Sequence, residues 1–283
     1  MSTSSVLFDA PGPRARRINA LLSVVGVALV VAVLAFVVLR LNQTNQLTSA
    51  KWSPFGYTDI QRALLNGLLA TVQAAAAGTV LALLLGALLA AGRLSERAPV
   101  RAVSRLVVEL FRALPLLLLI FFAFYLSKGA ISPFAAVVIG LTLYNGSVLA
   151  EVFRAGILAL PRGQSEAGYA LGLRKTQVMT LILIPQAVRS MLPSIVSQVV
   201  VLLKDSSLGF IIAYAELLRA VQQIGSQYFN LLPTFIVGAT VYVALNLAVA
   251  GLAKLLERST GRSHPGRAAT TAERTAATAN TGG

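Results

Sequence analysis

Long apolar blocks alternate with short polar segments along the whole chain. The first block, from Leu21 to Leu39, carries no charge and is close to the ~20 residues that a helix needs to cross a bilayer. A signal peptide is the alternative, but the run is too long for one and no clear small-residue cleavage site follows it. The pattern therefore predicts an all-α membrane protein with about six spanning helices, at residues 21–40, 64–91, 106–126, 132–153, 191–218 and 231–256. In the third of these, Pro115 is expected to kink or locally unwind the helix.

The composition is that of a membrane protein. Of the 283 residues, 56% are hydrophobic and 12% are charged, whereas a soluble domain has roughly 25% charged residues. There is no cysteine, and the single histidine, His264, lies near the carboxyl terminus. These counts exclude disulfides and thiol chemistry, and they argue against a metal cluster. No nucleophile–base arrangement is recognisable either. We therefore expect no catalytic residue, no metal and no cofactor in this chain.

Basic residues are unevenly distributed among the polar segments. Three arginines precede the first block and four follow the second, namely Arg14, Arg16, Arg17, Arg93, Arg97, Arg101 and Arg105. Because such an excess marks the cytoplasmic loops of membrane proteins, the net charge of +14 does not indicate nucleic-acid binding. We predict that both termini are cytoplasmic. A basic tail would cover residues 1–19, the transmembrane domain 20–258 and a disordered tail 259–283.

The polar, glycine-containing loop 161–185 separates the fourth and fifth apolar blocks. We predict a short helix in it that Gln164 or Ser165 caps and that Gly172 ends in a left-handed conformation. A second helix would run from Leu173 to Ile184 and stop near Pro185. The small side chains of Ala167, Gly168 and Ala170 would give the first helix a surface that fits a groove in a partner. The alternative is an amphipathic loop that lies on the lipid headgroups.

Loop 161–185 resembles the EAA loop of ABC-importer permeases, in which E-A-A is followed by G and then by I-x-L-P. The matching residues are Glu166, Ala167, Gly172, Ile182 and Pro185. Gly168 replaces an alanine of the pattern and Ile184 replaces its leucine, and both changes are small. The segments FRALPLLL, YNGSVLAEVFRAGI, LIPQAVR and LLKDSSL also resemble the polar amino-acid branch of this family, so the likeness extends over residues 60–257.

The resemblance implies a type I ABC-importer permease fold with a cytoplasmic coupling helix in a bacterial inner membrane. ATP and Mg would bind a partner ATPase dimer, in agreement with the absence of a G-x-x-x-x-G-K-[ST] loop from this sequence. A second permease subunit and an extracytoplasmic amino-acid-binding protein would complete the importer, whose cargo would be a polar amino acid, with glutamate or aspartate favoured. The residues expected to contact the ATPase are Glu166, Ala167, Gly168, Gly172, Leu173 and Arg174.

Polar residues within the apolar blocks are candidates for the substrate path, because charge inside a membrane is costly. Lys204, Asp205, Ser206 and Ser207 interrupt the fifth block at a depth of ~20 Å, beyond the middle of a ~30 Å core. An ammonium and a carboxylate match the two charges of an amino acid. The alternative is a structural ion pair that stabilises an unwound turn. Further candidates, nearer the middle of the fourth block, are Tyr144, Asn145 and Ser147.

Two pairs of charged residues lie near the predicted cytoplasmic ends of the third and fourth blocks. Glu109 with Arg112, and Glu151 with Arg154, are three residues apart and are expected to form salt bridges on one helix face. A different functional class, an ion-coupled secondary carrier or channel, would need isolated protonatable carboxylates in mid-helix. Asp205 is the only carboxylate that the pattern places at a clear mid-membrane depth, and it adjoins a lysine.

Overall fold

The computed structural model describes residues 12–259, and these are almost entirely helical, with no strand in that range. The predicted tails therefore lie mostly outside the described residues. Three short segments are not α-helical: Ser53–Gly56 and Ser206–Ile212 are 3₁₀ helices, and Val178–Leu183 is a π-helix. The α-helices are α1 Pro13–Gln43, α2 Ser49–Trp52, α3 Thr58–Arg93, α4 Ala98–Ala113, α5 Leu116–Leu126, α6 Pro133–Leu158, α7 Arg162–Ala170, α8 Lys175–Gln177, α9 Ile184–Asp205, α10 Leu217–Gln227 and α11 Leu231–Ser259.

Five helical stretches of the described chain are long and apolar enough to cross a membrane, and α4 with α5 makes a bent sixth. The first of them, α1, is exposed on every side, since none of its most apolar window is buried. Its hydrophobic residues follow one another without a polar face, which suits a helix surrounded by lipid. The other spans form the packed bundle.

The core of the bundle lies between α3 and α6. These helices approach closely because glycines stand where they cross. A Cβ atom on Gly86 would lie 2.9 Å from the Leu149 Cβ atom, and one on Gly140 would lie 2.5 Å from the Ile120 side chain of α5. Contacts of this kind let helix backbones pack tightly. In a membrane, van der Waals packing between helices, rather than the hydrophobic effect, drives their association, and small residues allow the close approach that it needs. Leu141, Leu202 and other apolar residues fill the space around the crossing.

The third predicted span, residues 106–126, is not one kinked helix. It is two helices, α4 and α5, that meet at an angle of 99°. The break falls at Leu114 and Pro115. Proline forces the preceding residue out of the helical region, and Leu114 accordingly has φ −83° and ψ 133°. α4 also starts at Ala98, well before the predicted start of the span.

The helical stretch that contains most of the fifth predicted span, residues 191–218, has other bounds than the sequence predicts. The helical stretch runs from Lys175 to Ile212, so the predicted stop near Pro185 is wrong. The π-helix just before Pro185 widens the turn where the proline ring would meet a carbonyl oxygen, so the chain continues as a helix. At the other end, Ala213 adopts φ +61° and the chain leaves the stretch before α10 begins.

Candidate functional site

The first helix of loop 161–185 begins earlier than the sequence suggested. α7 starts at Arg162, directly after Pro161, and neither Gln164 nor Ser165 caps it. The Ser165 hydroxyl instead donates a hydrogen bond to the Arg162 carbonyl, 2.8 Å away, inside the helix. Pro161 is the residue before the helix, with φ −56° and ψ 132°, and no side chain caps the first turn.

Gly172 ends α7 in the predicted left-handed conformation, with φ +77°. The Leu173 N–H donates to the Gly168 carbonyl at 3.1 Å, and the Gly172 N–H donates to the Tyr169 carbonyl at 2.9 Å. This pair of bonds is the Schellman motif, which satisfies carbonyls that a helix end would otherwise leave unpaired. A non-glycine residue at position 172 would strain this turn.

Gly168 is buried, and it packs within the chain rather than facing a partner. A Cβ atom there would lie 2.9 Å from both Val178 and Ile182 of the π-helix. The prediction that Gly168 forms part of an external small surface is therefore wrong. Because the position has no side chain, α7 can lie directly on the start of the long helical stretch 175–212.

The outward face of α7 is free in the described structure. Glu166, Ala167 and Ala170 are exposed, as are Tyr169 and Leu171, whose exposures are 49% and 81%. Sequence analysis did not select Tyr169 and Leu171, although two large apolar residues in a polar loop were a usable signal. Of the remaining predicted contact residues, Leu173 is half-buried and Arg174 is exposed, and the Arg174 backbone N–H donates to Gln177 Oε1 at 2.8 Å.

The charged residues between α3, α4 and α6 pair differently from the prediction. Glu151 bonds Arg154 at 3.1 Å, as expected, but it also contacts Arg93 and lies 3.7 Å from Arg112. Glu109 does not pair with Arg112, because the bend after α4 directs Arg112 towards α6. Its partner is Arg105, one helical turn earlier, at 2.7 Å.

A cavity of about 420 Å³ opens between the end of the long helical stretch, α10 and α11. Lys204 and Ser207 line it on one side, and Tyr242 and Asn246 of α11 line it on another. Lys204 is the one charged side chain among the described residues of its wall. The Asn246 side-chain oxygen is buried and has no hydrogen-bond partner in the described structure. The cavity therefore offers a cation to a ligand.

The other residues of the predicted Lys204–Ser207 site face elsewhere. Asp205 is half-buried and does not contact Lys204, and the described residues contain no salt bridge between them. The alternative of a structural ion pair is thus not what holds this turn. Ser206 is fully buried and donates to the Leu203 carbonyl at 2.8 Å, while the Ser207 hydroxyl donates to the Lys204 carbonyl at 2.7 Å.

The three candidates on α6 lie inside the bundle, and none of them lines the Lys204 cavity. Asn145 is fully buried and its side-chain oxygen accepts a 2.6 Å hydrogen bond from Gln198 of α9. Ser147 is also buried and donates to the Leu143 carbonyl at 2.8 Å. Tyr144 packs against the apolar core. The Asn145–Gln198 bond therefore joins α6 to α9, whereas the Ser147 bond lies within α6.

Glu216 is a residue that sequence analysis missed. It is fully buried, and its carboxylate accepts hydrogen bonds from the backbone N–H groups of Leu218 at 2.8 Å and Arg219 at 2.7 Å. It also accepts a 2.8 Å bond from the Tyr242 hydroxyl on α11. Glu216 thus caps α10 and fixes one wall residue of the cavity. Its position directly before the Leu-Leu-Arg start of α10 was the available signal.

Comparisons with known proteins agree with this architecture. Residues 78–262 match the family model described as the inner membrane component of binding-protein-dependent transport systems. The chain is 42% identical over 225 residues to the glutamate transport system permease protein GluD of Corynebacterium glutamicum, covering 77% of this chain and 82% of that protein. It is 38% identical over 205 residues to the probable glutamine ABC transporter permease protein GlnP of Bacillus subtilis, covering 69% and 92%.

Solved structures resemble the same bundle. The structure of an amino acid ABC transporter with histidines superposes with a TM-score of 0.68 at 28% identity, covering 74% of this chain and 97% of that one. A structure of the MetNI methionine ABC transporter in an inward-facing conformation superposes with a TM-score of 0.60 at 20% identity, covering 73% and 100%. The second likeness concerns the fold alone.

Proposed function

Because the chain belongs to the family of inner membrane components of binding-protein-dependent transport systems, we propose that it forms the translocation path of an ATP-driven importer for an acidic amino acid. The observation that carries the proposal is α7, which presents Glu166, Ala167 and Leu171 on its outer face and rests on the π-helix through Gly168. A short helix held in this way is suited to transmit the movement of a partner to the spanning helices.

The partner of α7 in this proposal is an ATPase dimer, which would bind ATP and Mg. The chain itself contributes no catalytic residue and binds no cofactor. Loop 161–185 and both termini are on the cytoplasmic side, in accord with the arginines that flank α3 and α4. A second permease subunit completes the path, and an extracytoplasmic binding protein delivers the substrate.

The Lys204 cavity is the proposed substrate-contact region of this chain. A lysine ammonium attracts a carboxylate, and an acidic amino acid carries two of them. Neither Asp205 nor Glu216 lines the cavity, so no carboxylate of the described wall opposes that charge. The relatives include a glutamate permease of C. glutamicum and a glutamate/aspartate import permease protein, GltK, of Escherichia coli, which is 31% identical over 208 residues. These facts favour glutamate or aspartate as the cargo.

Reconstitution tests the function directly. The chain is incorporated into vesicles with a candidate ATPase and a candidate binding protein from the same organism, and uptake of labelled glutamate is measured with and without ATP. We expect uptake that depends on ATP and on the binding protein and that persists when ion gradients are dissipated by ionophores. Uptake without ATP that collapses with the ionophore would overturn the proposal and indicate an ion-coupled carrier.

A further inference from the structure

α4 has three distinct flanks. With 100° between successive residues, Ser104, Val107, Val108 and Phe111 form one flank, and it packs on α3 and α6, where Val108 is fully buried between Leu89 and Ala150. A second flank consists of Val103, Leu106 and Leu110, each more than half exposed. The third consists of Arg101, Arg105, Glu109 and Arg112. The centres of the apolar and charged flanks are about 140° apart, and the packed flank occupies the remaining side of the helix.

α4 lies roughly at right angles to the bundle axis. α5 packs along α6 from the short turn that joins them, and α6 packs along α3, so α5 follows the axis of the spanning helices. The angle of 99° between α4 and α5 then turns α4 across that axis. It crosses near the end of α3, where a Cβ atom on Gly92 would meet the Ser104 hydroxyl.

Some of the basic residues at the end of the bundle where α3 meets α4 pair with carboxylates, and others do not. Glu151 engages Arg93, Arg112 and Arg154, Glu96 engages Lys175, and Glu109 engages Arg105. Arg97 and Arg101 contact no carboxylate within the described residues. The Arg101 guanidinium donates only to the backbone carbonyls of Ser95, at 3.0 Å, and Glu96, at 3.5 Å, which directs it towards the turn between α3 and α4.

We propose that α4 is an interfacial helix that binds anionic phospholipid. Its apolar flank enters the acyl chains, and Arg97 and Arg101 bind the phosphate groups at the same membrane surface. A helix with opposed apolar and cationic flanks that lies across the bundle axis has the geometry of an amphipathic helix in a membrane interface. Two arginines without protein carboxylates supply the charge complementarity to anionic headgroups. The proposal goes beyond the transport function and does not depend on it.

Site-directed labelling tests the position of α4. Because the chain contains no cysteine, a single introduced cysteine is the only thiol that the fluorophore can label. Val103→Cys on the apolar flank and Arg105→Cys on the charged flank, about 160° apart around α4, are labelled with a fluorophore in the full chain, reconstituted in nanodiscs of equal parts phosphatidylglycerol and phosphatidylcholine. We expect a quencher on the lipid chains to quench the label at 103 strongly, and the label at 105 to respond to an aqueous quencher. A label at 103 that responds only to the aqueous quencher would overturn the proposal.

Lipid binding is tested with charge variants. Arg97→Gln/Arg101→Gln is compared with Arg40→Gln/Arg62→Gln, which removes the same charge from exposed arginines of α1 and α3. Phosphatidylglycerol bound to the purified chain is measured by native mass spectrometry, with phosphatidylcholine as the neutral reference. We expect a loss of at least about fivefold in phosphatidylglycerol retention for the first variant, since each basic residue near an anionic surface contributes about that factor, and less than about twofold for the control.

The same samples separate lipid from protein as the occupant of α4. Addition of the ATPase should leave the quenching at positions 103 and 105 unchanged. If the ATPase instead shielded Arg105→Cys from the aqueous quencher, or if both charge variants retained phosphatidylglycerol equally, the arginines would not be a lipid site and the proposal would fail.

Discussion

Loop 161–185 and the Lys204 cavity differ in how their residues are distributed along the chain. The proposed ATPase-binding surface of the loop is built from adjacent residues of α7, which begins after Pro161 and ends at Gly172. The cavity takes its walls from the end of the long helical stretch, from α10 and from α11, so residues as far apart as Lys204 and Asn246 face one another. A contiguous surface can be recognised from spacing, whereas a cavity of this kind exists only after the helices have packed.

The two regions also differ in what holds them. α7 packs on the π-helix where Gly168 meets Val178 and Ile182, Gln164 accepts a 3.3 Å hydrogen bond from Gln186 of α9, and most of the surface of α7 is exposed. The cavity is fixed by buried polar bonds, in which Glu216 holds both the start of α10 and Tyr242. We therefore expect substitutions at the cavity to affect stability or transport strongly, and substitutions on the outer face of α7 to affect assembly alone.

The largest effect is expected for Glu216→Ala. The substitution leaves two backbone N–H groups and the Tyr242 hydroxyl without their acceptor, which should lower the free energy of unfolding by about 2–4 kcal/mol. Thermal unfolding of the purified chain measures it, with the exposed Glu109→Ala as the control. Tyr242→Phe should lose only about 1 kcal/mol. If Glu216→Ala melted like the control, Glu216 would not be the residue that fixes α10 and α11.

Lys204→Met should reduce glutamate uptake by roughly ten- to a hundredfold, because a charge-assisted hydrogen bond to a carboxylate contributes about 1.5–3 kcal/mol. Folding should be unaffected, since the side chain is exposed in the cavity. Lys128→Met, in the turn between α5 and α6, is the matched control. Equal uptake by both variants would show that the cavity does not contact the substrate.

A smaller effect is expected for Leu171→Ala on the outer face of α7. A large apolar side chain that is 81% exposed is a typical anchor for a partner, so its removal should weaken ATPase binding by about tenfold. The unfolding temperature should not change. Gly168→Leu provides the contrast, since it should destabilise the packing of α7 on the π-helix even without the partner. The outer-face assignment is wrong if Leu171→Ala binds the ATPase normally.

The smallest effect concerns Glu96, whose carboxylate lies 2.8 Å from the Lys175 ammonium at the base of loop 161–185. The hydrogen bond from Lys175, together with its charge, lowers the pKa of Glu96. The stabilisation is therefore present above the unfolded-state pKa and is lost as the pH falls through the lowered folded-state pKa. The difference in unfolding temperature between the wild type and Glu96→Gln should be small at neutral pH and vanish in acid. A difference that persisted in acid would exclude the pair as its source.

Sequence patterns predicted the helical class, the number of apolar segments and the left-handed end of α7, because hydrophobic runs and a glycine at a helix end are local signals. They failed where tertiary packing or backbone geometry decides. The interruption at Pro115 was predicted but its angle of 99° was not, and Pro185 was expected to end a helix that instead continues through a π-helix. Both prolines looked alike in sequence. They differ in the turn that precedes the proline. Before Pro185 this turn is widened into a π-helix, whereas before Pro115 the chain leaves the helix at Leu114.

The candidate site divides in the same way. Lys204 was selected because a charge stands out in an apolar block, and it lines a cavity. Asn145 and Ser147 were selected for the same reason, yet they bond within the bundle, since a polar residue on a helix gives no direction until its neighbours are known. Glu216 was missed because it stood at the end of an apolar block, where its role as a cap could not be distinguished from exposure at the surface.

The 38-residue stretch from Lys175 to Ile212 has a mechanical consequence. It is roughly 57 Å long at 1.5 Å per residue, and a rotation of about 10° around one end would displace the other end by about 10 Å. Its near end lies under α7 and its far end carries Lys204 and Ser207. A small tilt imposed beneath α7 is thus amplified into a large displacement of the cavity wall, as in a lever arm. If the helix had stopped at Pro185, a flexible joint would separate the segment under α7 from the segment that carries Lys204. A tilt of the first segment would then bend the joint and would not move the cavity wall.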